Sequence, residues 1–277
     1  MKPRSVGDAV RLLFVGFYTL IVLGPLVWLV VTSFKTSAEI YGSPWTLPAR
    51  MQWDNYVRAW FEANIGQYLF NSIFVTAVSI SLIVIIAAMA AYVLVRYPFR
   101  GSRIILVAFV SGLMVPVQIA LVPLHDLLRT LGLLDSYWGL IPVYIAFSLP
   151  FTVFLLSGYF STLPRDLEQA AIIDGCSHAQ VFWRVMLPVS KPAVMTALIF
   201  NFLGIWNEFI LALIILASDE LKTLPLGLAD LQVVMRYQVD WGALFAGLVI
   251  AIVPIFIGYI FLQEQVTEGA TMGALKG

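Results

Sequence analysis

Leu163-Pro164-Arg165-Asp166-Leu167-Glu168-Gln169-Ala170-Ala171-Ile172-Ile173-Asp174-Gly175, followed by Ser177, Gln180, Leu187-Pro188 and Pro192, lies between two long apolar runs and decides how the chain is read. Pro164 suits the first turn of a helix, where its missing N–H costs nothing. Glu168 and Ala171, or Gln169 and Ile172, then share a face at helical spacing. Asp174-Gly175 is a stop, because glycine takes the left-handed conformation that ends a helix. Ser177 with Gln180 reads as a capping box that starts a second helix, and Val181, Phe182, Val185 and Met186 give that helix an apolar side. Residues 161–192 therefore read as two short helices meeting at a corner, with Pro188 and Pro192 marking the return to apolar sequence. Helix grammar alone leaves two readings: an amphipathic loop resting on a bilayer, or a surface on which a soluble partner docks.

Composition says what flanks the corner. Of the 277 residues, 61% are hydrophobic and 12% charged, against about 25% charged in a soluble domain, and the mean hydropathy is +0.92. This is the composition of an integral membrane protein. Six runs approach the roughly 20 residues needed to cross the hydrocarbon core as a helix: 12–33, 70–95, 104–124, 137–160, 193–216 and 243–262. The expected fold is all-α and polytopic, one transmembrane domain over 1–277 with six spans. The first run follows Lys2, Arg4 and Arg11 but exceeds the apolar region of a signal peptide and has no small-residue cleavage site after it, so it reads as a retained helix.

Six spans put both termini on one side, and basic residues choose the side. The face holding the termini and residues 161–192 carries ten: Lys2, Arg4, Arg11, Arg96, Arg100, Arg103, Arg165, Arg184, Lys191 and Lys276. The opposite face carries six: Lys35, Arg50, Arg58, Arg129, Lys222 and Arg236. The short second loop has three arginines and no acid of its own. Both termini and the corner are expected in the cytoplasm. Outside, the first loop carries Trp45, Trp53, Tyr56, Trp60 and Phe61, which suit either an anchor at the headgroups or the docking of an extracytoplasmic partner.

Inside the expected spans, Glu208 is the one acid. A charge there costs roughly 2.5–3.5 kcal/mol on insertion scales, so it must face protein or water. Asn201, Gly204 and Glu208 fall on one helical face, and Asn207 adjoins it. This stripe is either a hydrogen-bonded lock between spans or part of a passage for a hydroxyl-rich solute. Gly112, Pro116, Pro123, Pro142 and Pro150 interrupt the third and fourth runs, a disruption tolerated only where protein or a wet cavity satisfies the freed carbonyls. Gln118, close to Pro116, is the candidate for contact with solute there.

The corner string, with Phe182 and Leu187-Pro188, resembles the EAA motif of ABC importer permeases. The surrounding sequence is similar to the maltose-permease-like carbohydrate branch at Asn55-Tyr56, Asn71-Ser72, Leu131-Gly132-Leu133, Trp206-Asn207-Glu208-Phe209 and the tail Gly269-Ala270-Thr271-Met272-Gly273-Ala274-Leu275-Lys276-Gly277. The likeness covers nearly the whole chain. It implies a type I importer permease, half of a translocation pathway for a sugar or related polyol, in a bacterial or archaeal cytoplasmic membrane. It implies coupling through Glu168, Gln169, Ala170, Ala171, Asp174 and Gly175 to a cytoplasmic ATPase. Its partners are a second permease, two ATPases that bind ATP and magnesium, and an extracytoplasmic substrate-binding protein. It also implies that the tail, with Gly273 and Lys276, reaches the ATPases, where the pattern alone reads as a frayed terminus. Two departures stand out. Gln169 occupies the place of the family's usual glutamate, with Glu168 one position earlier, and Cys176 replaces the usual alanine and reads as a small buried thiol.

Other classes fit poorly. An ion-coupled secondary transporter, the main alternative, needs intramembrane charges or unwound ion sites of its own, and one glutamate is little to build on. Enzyme motifs such as H-E-x-x-H and G-x-S-x-G are absent from the sequence, and no lysine follows a glycine, so there is no P-loop. One cysteine and two separated histidines offer no metal site or disulfide framework, and zero net charge gives nucleic acid nothing to bind. No cofactor is expected in this chain.

Overall fold

The computed structural model describes the backbone of residues 6–234 and 240–274, and all of its regular structure is helical. In chain order the helices are α1 (Val6–Thr32), α2 (Ser37–Gly42), α3 (Asp54–Val57), α4 (Ile65–Arg96), α5 (Ser102–Gly112), α6 (Val117–Thr130) and α7 (Tyr137–Thr162). They continue with α8 (Asp166–Ile173), α9 (His178–Val181), α10 (Leu187–Val189), α11 (Lys191–Trp206), α12 (Ile210–Ile215), α13 (Leu224–Val234) and α14 (Trp241–Ala274). Wide π turns extend α3 over Arg58–Glu62 and join α9 to α10 over Phe182–Met186.

Four of these helices, α1, α4, α7 and α14, are long and apolar enough to cross a bilayer unbroken. Two bent pairs are long and apolar enough only when taken together, each a broken span or a re-entrant loop: α5 with α6 at 100°, and the segment 178–189 with α11 at 75°. The run 104–124, expected as one helix, thus breaks at 113–116. Pro116 caps α6 in an extended conformation, and a proline disfavours helical geometry in the residue before it. The run 193–216 is also interrupted: α11 ends at Trp206, residues 207–209 are non-helical, and α12 resumes at Ile210. Expected boundaries shift elsewhere. α4 begins five residues early, and the tail, only weakly structured by its pattern, continues α14 as helix to Ala274.

The chain divides into two compact units. The first comprises 1–67 and 227–254. The apolar window of α1 is 0% buried, the surface expected of a helix facing lipid. Beyond α1 the first loop closes on itself. Asn55, buried, donates from Nδ2 to the carbonyls of Ser33 (2.7 Å) and Lys35 (2.8 Å), and Lys35, fully buried, donates from Nζ to the Pro44 carbonyl at 2.9 Å. Gly242 is held to glycine here, because a Cβ would lie 2.5 Å from Asn55 Oδ1. Arg58 pairs with Asp240 at 2.6 Å.

The second unit, 68–226 with 255–277, contains two buried apolar clusters. One joins α4, α7, α12 and α13 through Val75, Ile83, Leu140, Tyr144, Ile215 and Leu226. The other joins the far ends of α4 and α7 to the 178–186 segment through Ala88, Ala91, Leu156, Phe160, Val181 and Met186. Lipid tails are as apolar as leucine, so packing rather than water exclusion must hold these helices together. Ala87, Ala88 and Ala91, all 0% exposed, supply the small surface that lets α4 approach its neighbours closely. The 32 residues of α4 span about 48 Å, more than the roughly 30 Å hydrocarbon core, so the helix projects beyond it.

Candidate functional site

The corner forms as its residues dictate. Asp166 and Glu168 in the first turn of α8 complement the positive end of the helix dipole. At the other end Gly175 takes φ +85°, its N–H donates to Ile172 O (3.0 Å), and the N–H of Cys176 donates to Ala171 O (2.9 Å), which together make the left-handed stop of a Schellman motif. Ser177 and Gln180 then form a reciprocal capping box, Ser177 N–H donating to Gln180 Oε1 at 2.8 Å. Pro164 differs from expectation: it precedes α8 by two residues rather than lying in its first turn.

Residues singled out in the corner separate into two sets. Gln169, Ala170, Asp174 and Gly175 are exposed, while Ala171 is buried in the second apolar cluster. Ile172 and Ile173, which stand in the motif string but not among the residues implied to couple, are 46% and 85% exposed and give the corner an apolar tip. Their signal was an apolar pair just ahead of a helix stop. Cys176 is half-buried.

Glu168 turns inward. Its Oε2 lies 2.6 Å from Arg96 Nη2 and 2.8 Å from Arg96 Nε, with the two side chains 13% and 5% exposed. Arg96, one of the arginines without an acid in its own loop, thus finds one 72 residues away. Arg100 and Arg103 remain exposed.

Around the broken spans, Glu208 sits in the 207–209 interruption and accepts from the backbone N–H of Leu211 (2.7 Å) and Ala212 (3.1 Å) and from the Tyr144 hydroxyl (2.8 Å). It caps α12 and ties it to α7. Asn201, buried, donates to Thr152 Oγ1 (3.0 Å) and Ala197 O (2.8 Å), a second tie to α7. Asn207 is exposed and bonded to Leu203 O at 2.8 Å. Gln118 is exposed in the first turn of α6, beside the other interruption. In the tail, Gly273 is described only as helical backbone and Lys276 lies outside the described residues. Among the described residues no His, Cys, Asp or Glu cluster is built to hold a metal.

Between α6 and α7, Asp135, with φ +53°, accepts from the backbone N–H of Ala217 and Ser218 at 2.9 Å each and from the Ser218 hydroxyl. These donors, the hydroxyl foremost, hold its carboxyl below the ordinary carboxylate range.

The fold is all-helical among the described residues, with interrupted apolar helices and a capped, exposed corner, the architecture of a polytopic membrane protein. The chain belongs to the family described as binding-protein-dependent transport system inner membrane component, whose model matches residues 80–268, and so it is a multi-pass permease subunit of an ABC importer. It is 39% identical to the diacetylchitobiose uptake system permease protein NgcG of Streptomyces coelicolor, over 94% of this chain and 86% of that one. It is 35% identical to the trehalose/maltose transport system permease protein MalG of Thermococcus litoralis, over 96% of both. Its fold is similar to a chain in the crystal structure of a bacterial ABC transporter involved in the import of the acidic polysaccharide alginate. There the TM-score is 0.82 at 23% identity, over 95% of this chain and 99% of that one. Family membership makes the protein one component of an assembly with a further permease, an ATPase and a substrate-binding protein, and places ATP hydrolysis outside this chain.

Proposed function

We propose that this permease forms half of the membrane pathway for a saccharide or related polyol, and that its corner seats on a cytoplasmic ATPase. The observation that carries the docking is the exposed tip: Gln169, Ala170, Ile172, Ile173, Asp174 and Gly175 stand on a helix that is capped at its stop and braced from behind. An unsupported loop would absorb a push from outside; a braced helix passes it on. ATP-driven closure of two ATPases would then reorient the spans as a rigid-body switch between inward and outward access. The excess of basic residues on the corner's face supports a cytoplasmic location for the corner and both termini.

The saccharide assignment draws on relatives named for diacetylchitobiose and for trehalose and maltose. The chemistry fits, because a sugar offers neutral hydroxyls and the expected spans carry no cluster of cations for an anionic solute. Gln118 and Asn207, exposed beside the two interruptions, are the residues proposed to meet solute. Asn201 and Glu208 spend their polar atoms on α7 and α12, which favours the lock over the passage for both. The full importer would contain a second permease, two ATPases holding ATP and magnesium, and an extracytoplasmic binding protein, with Gly273 and Lys276 of the tail as a further ATPase contact.

Purification of the chain with its neighbours tests this reading. A nucleotide hydrolase that stays bound to the wild-type complex and is lost from Ile173→Asp supports it. A wild-type preparation free of any hydrolase, moving sugar under a proton or sodium gradient, overturns it.

A further inference from the structure

The inward turn of Glu168 separates two jobs that the corner's sequence runs together. Glu168 is one of six residues implied to couple to the ATPase, yet its carboxylate is directed away from the exposed tip and spent on Arg96. Arg96 ends α4, so the pair joins a spanning helix to the corner.

The guanidinium does more than neutralise the acid. While Nε and Nη2 engage Glu168, Nη1 donates to the carbonyls of Phe160 (3.3 Å) and Leu163 (2.9 Å), and Nη2 to that of Pro164 (3.2 Å). Phe160 lies in the last turn of α7 and Leu163 caps it. The Phe160 and Leu163 carbonyls belong to the electronegative end of α7; that of Phe160 also accepts the Leu163 N–H at 3.3 Å, and Pro164 lies in the link to α8. A planar fork with five fixed donors can hold three separate elements at once, which a lysine ammonium cannot do with the same geometry. The side chain is 5% exposed, so water does not compete for these bonds.

A second tie runs parallel to the first. Tyr97, one residue beyond α4, shares a hydrogen bond with Tyr92 (3.2 Å) and another with His178 Nδ1 on α9 (3.0 Å). Both helices of the corner are thus fastened to the same end of α4.

The pair is a poor device for stability alone. Both side chains are taken almost wholly out of water, and a buried ion pair commonly stabilises less than apolar residues of the same shape would. Its geometry is another matter, since breaking it would remove the ionic tie that joins α8 to the ends of α4 and α7.

We infer that Arg96 is a positioning residue, a strut that locks α8 through Glu168 to the ends of α4 and α7, so that a displacement of the corner moves both spans as one body. This rests on the corner being the point where the ATPase pushes, as proposed above. It assigns Glu168 to internal transmission and leaves contact with the ATPase to the exposed tip.

The test uses the complete importer complex carrying Cys176→Ser, with spin labels at Ile86 on α4 and Asp166 on α8. Double electron–electron resonance then reads the spread of distances between the labels, without nucleotide and with ADP·vanadate. The wild type is expected to give one narrow distribution with the same mean in both states. Arg96→Gln and Glu168→Gln are each expected to broaden it at least twofold while the ATPases remain bound, with Arg96→Lys, which keeps the charge but loses the fork, in between. Distributions in Arg96→Gln and Glu168→Gln that match the wild type overturn the strut. So does a wild-type mean that shifts with nucleotide. If no hydrolase accompanies the wild-type chain, the proposed function fails separately, and the widths measured in that preparation still decide the strut. Should Arg96→Gln fail to assemble, Glu168→Gln and Arg96→Lys carry the comparison.

Discussion

Tyr144 on α7 donates its hydroxyl to Glu208 Oε2 at 2.8 Å, and the same carboxylate receives the first free N–H groups of α12. An acid inside an apolar span is thereby supplied with three donors from the protein itself. Tyr144→Phe removes one of them and changes nothing else in shape. Hydrogen bonds to charged groups contribute about 1.5–3 kcal/mol in soluble proteins, less inside membranes, where the average is about 0.6. The expected loss is about 1 kcal/mol, read as a lower melting temperature of the purified protein by tryptophan fluorescence. An unchanged melting temperature with altered transport would return Glu208 to the passage.

Gly175 separates a backbone effect from a packing effect. Nothing lies within 4 Å of a Cβ built there, so Gly175→Ala carries only the cost of a left-handed residue, about 1–2 kcal/mol, and leaves the corner formed. Gly175→Pro fixes φ near −65° and deletes the N–H that bonds Ile172 O. Transport into vesicles and substrate-stimulated ATP hydrolysis are expected to fall several-fold at most in the alanine variant and to vanish in the proline variant. Equal activity in both would mean that the corner's shape does not transmit force.

Close approach of α4 to its neighbours depends on side chains of one carbon. Ala88→Leu places three extra carbons at a site with 0% exposure and is expected to cost about 1–3 kcal/mol through overpacking. Ile86→Leu on the same helix, 42% exposed, is expected to cost nothing measurable. Thermal stability in detergent distinguishes them, and equal melting temperatures would show that α4 does not pack as described.

Asp135 gives a pH signature. Its carboxyl is held below the ordinary range by the Ser218 hydroxyl and the N–H groups of Ser218 and Ala217, so its stabilisation is complete above the unfolded value, about 3.9, and lost as pH falls through the folded one. Wild type should therefore exceed Asp135→Asn in melting temperature at pH 7, with the gap closing in acid below the usual carboxylate range. A gap that stays constant to the lowest pH at which the protein folds would remove Asp135 from the account.

What the sequence made legible was local. The runs that became α1, α4, α7 and α14, the Asp174-Gly175 stop and the Ser177–Gln180 capping box each depend on residues within one or a few turns, and each stands in the structure. The interruption at 207–209 was hidden, because helical spacing aligned Asn201, Gly204 and Glu208 as one stripe. A break there is tolerable only once Glu208 is present to take the freed N–H groups. Pro116 hinted at the other interruption but not at a 100° bend. Least legible was the partner of Glu168. Arg96 looked like one of three unopposed charges, and no spacing rule connects residues 72 positions apart.

The central claim is that force reaches this permease from outside the membrane. It is tested most directly by reconstituting the chain alone, and then with its partner permease, ATPases and binding protein, into sealed liposomes. Accumulation of a labelled saccharide that the binding protein retains is followed in each case with and without enclosed ATP. The account predicts uphill accumulation of that saccharide by the full assembly with ATP, and none by the isolated chain under any ion gradient. Uphill accumulation by the chain alone, without nucleotide, would contradict it.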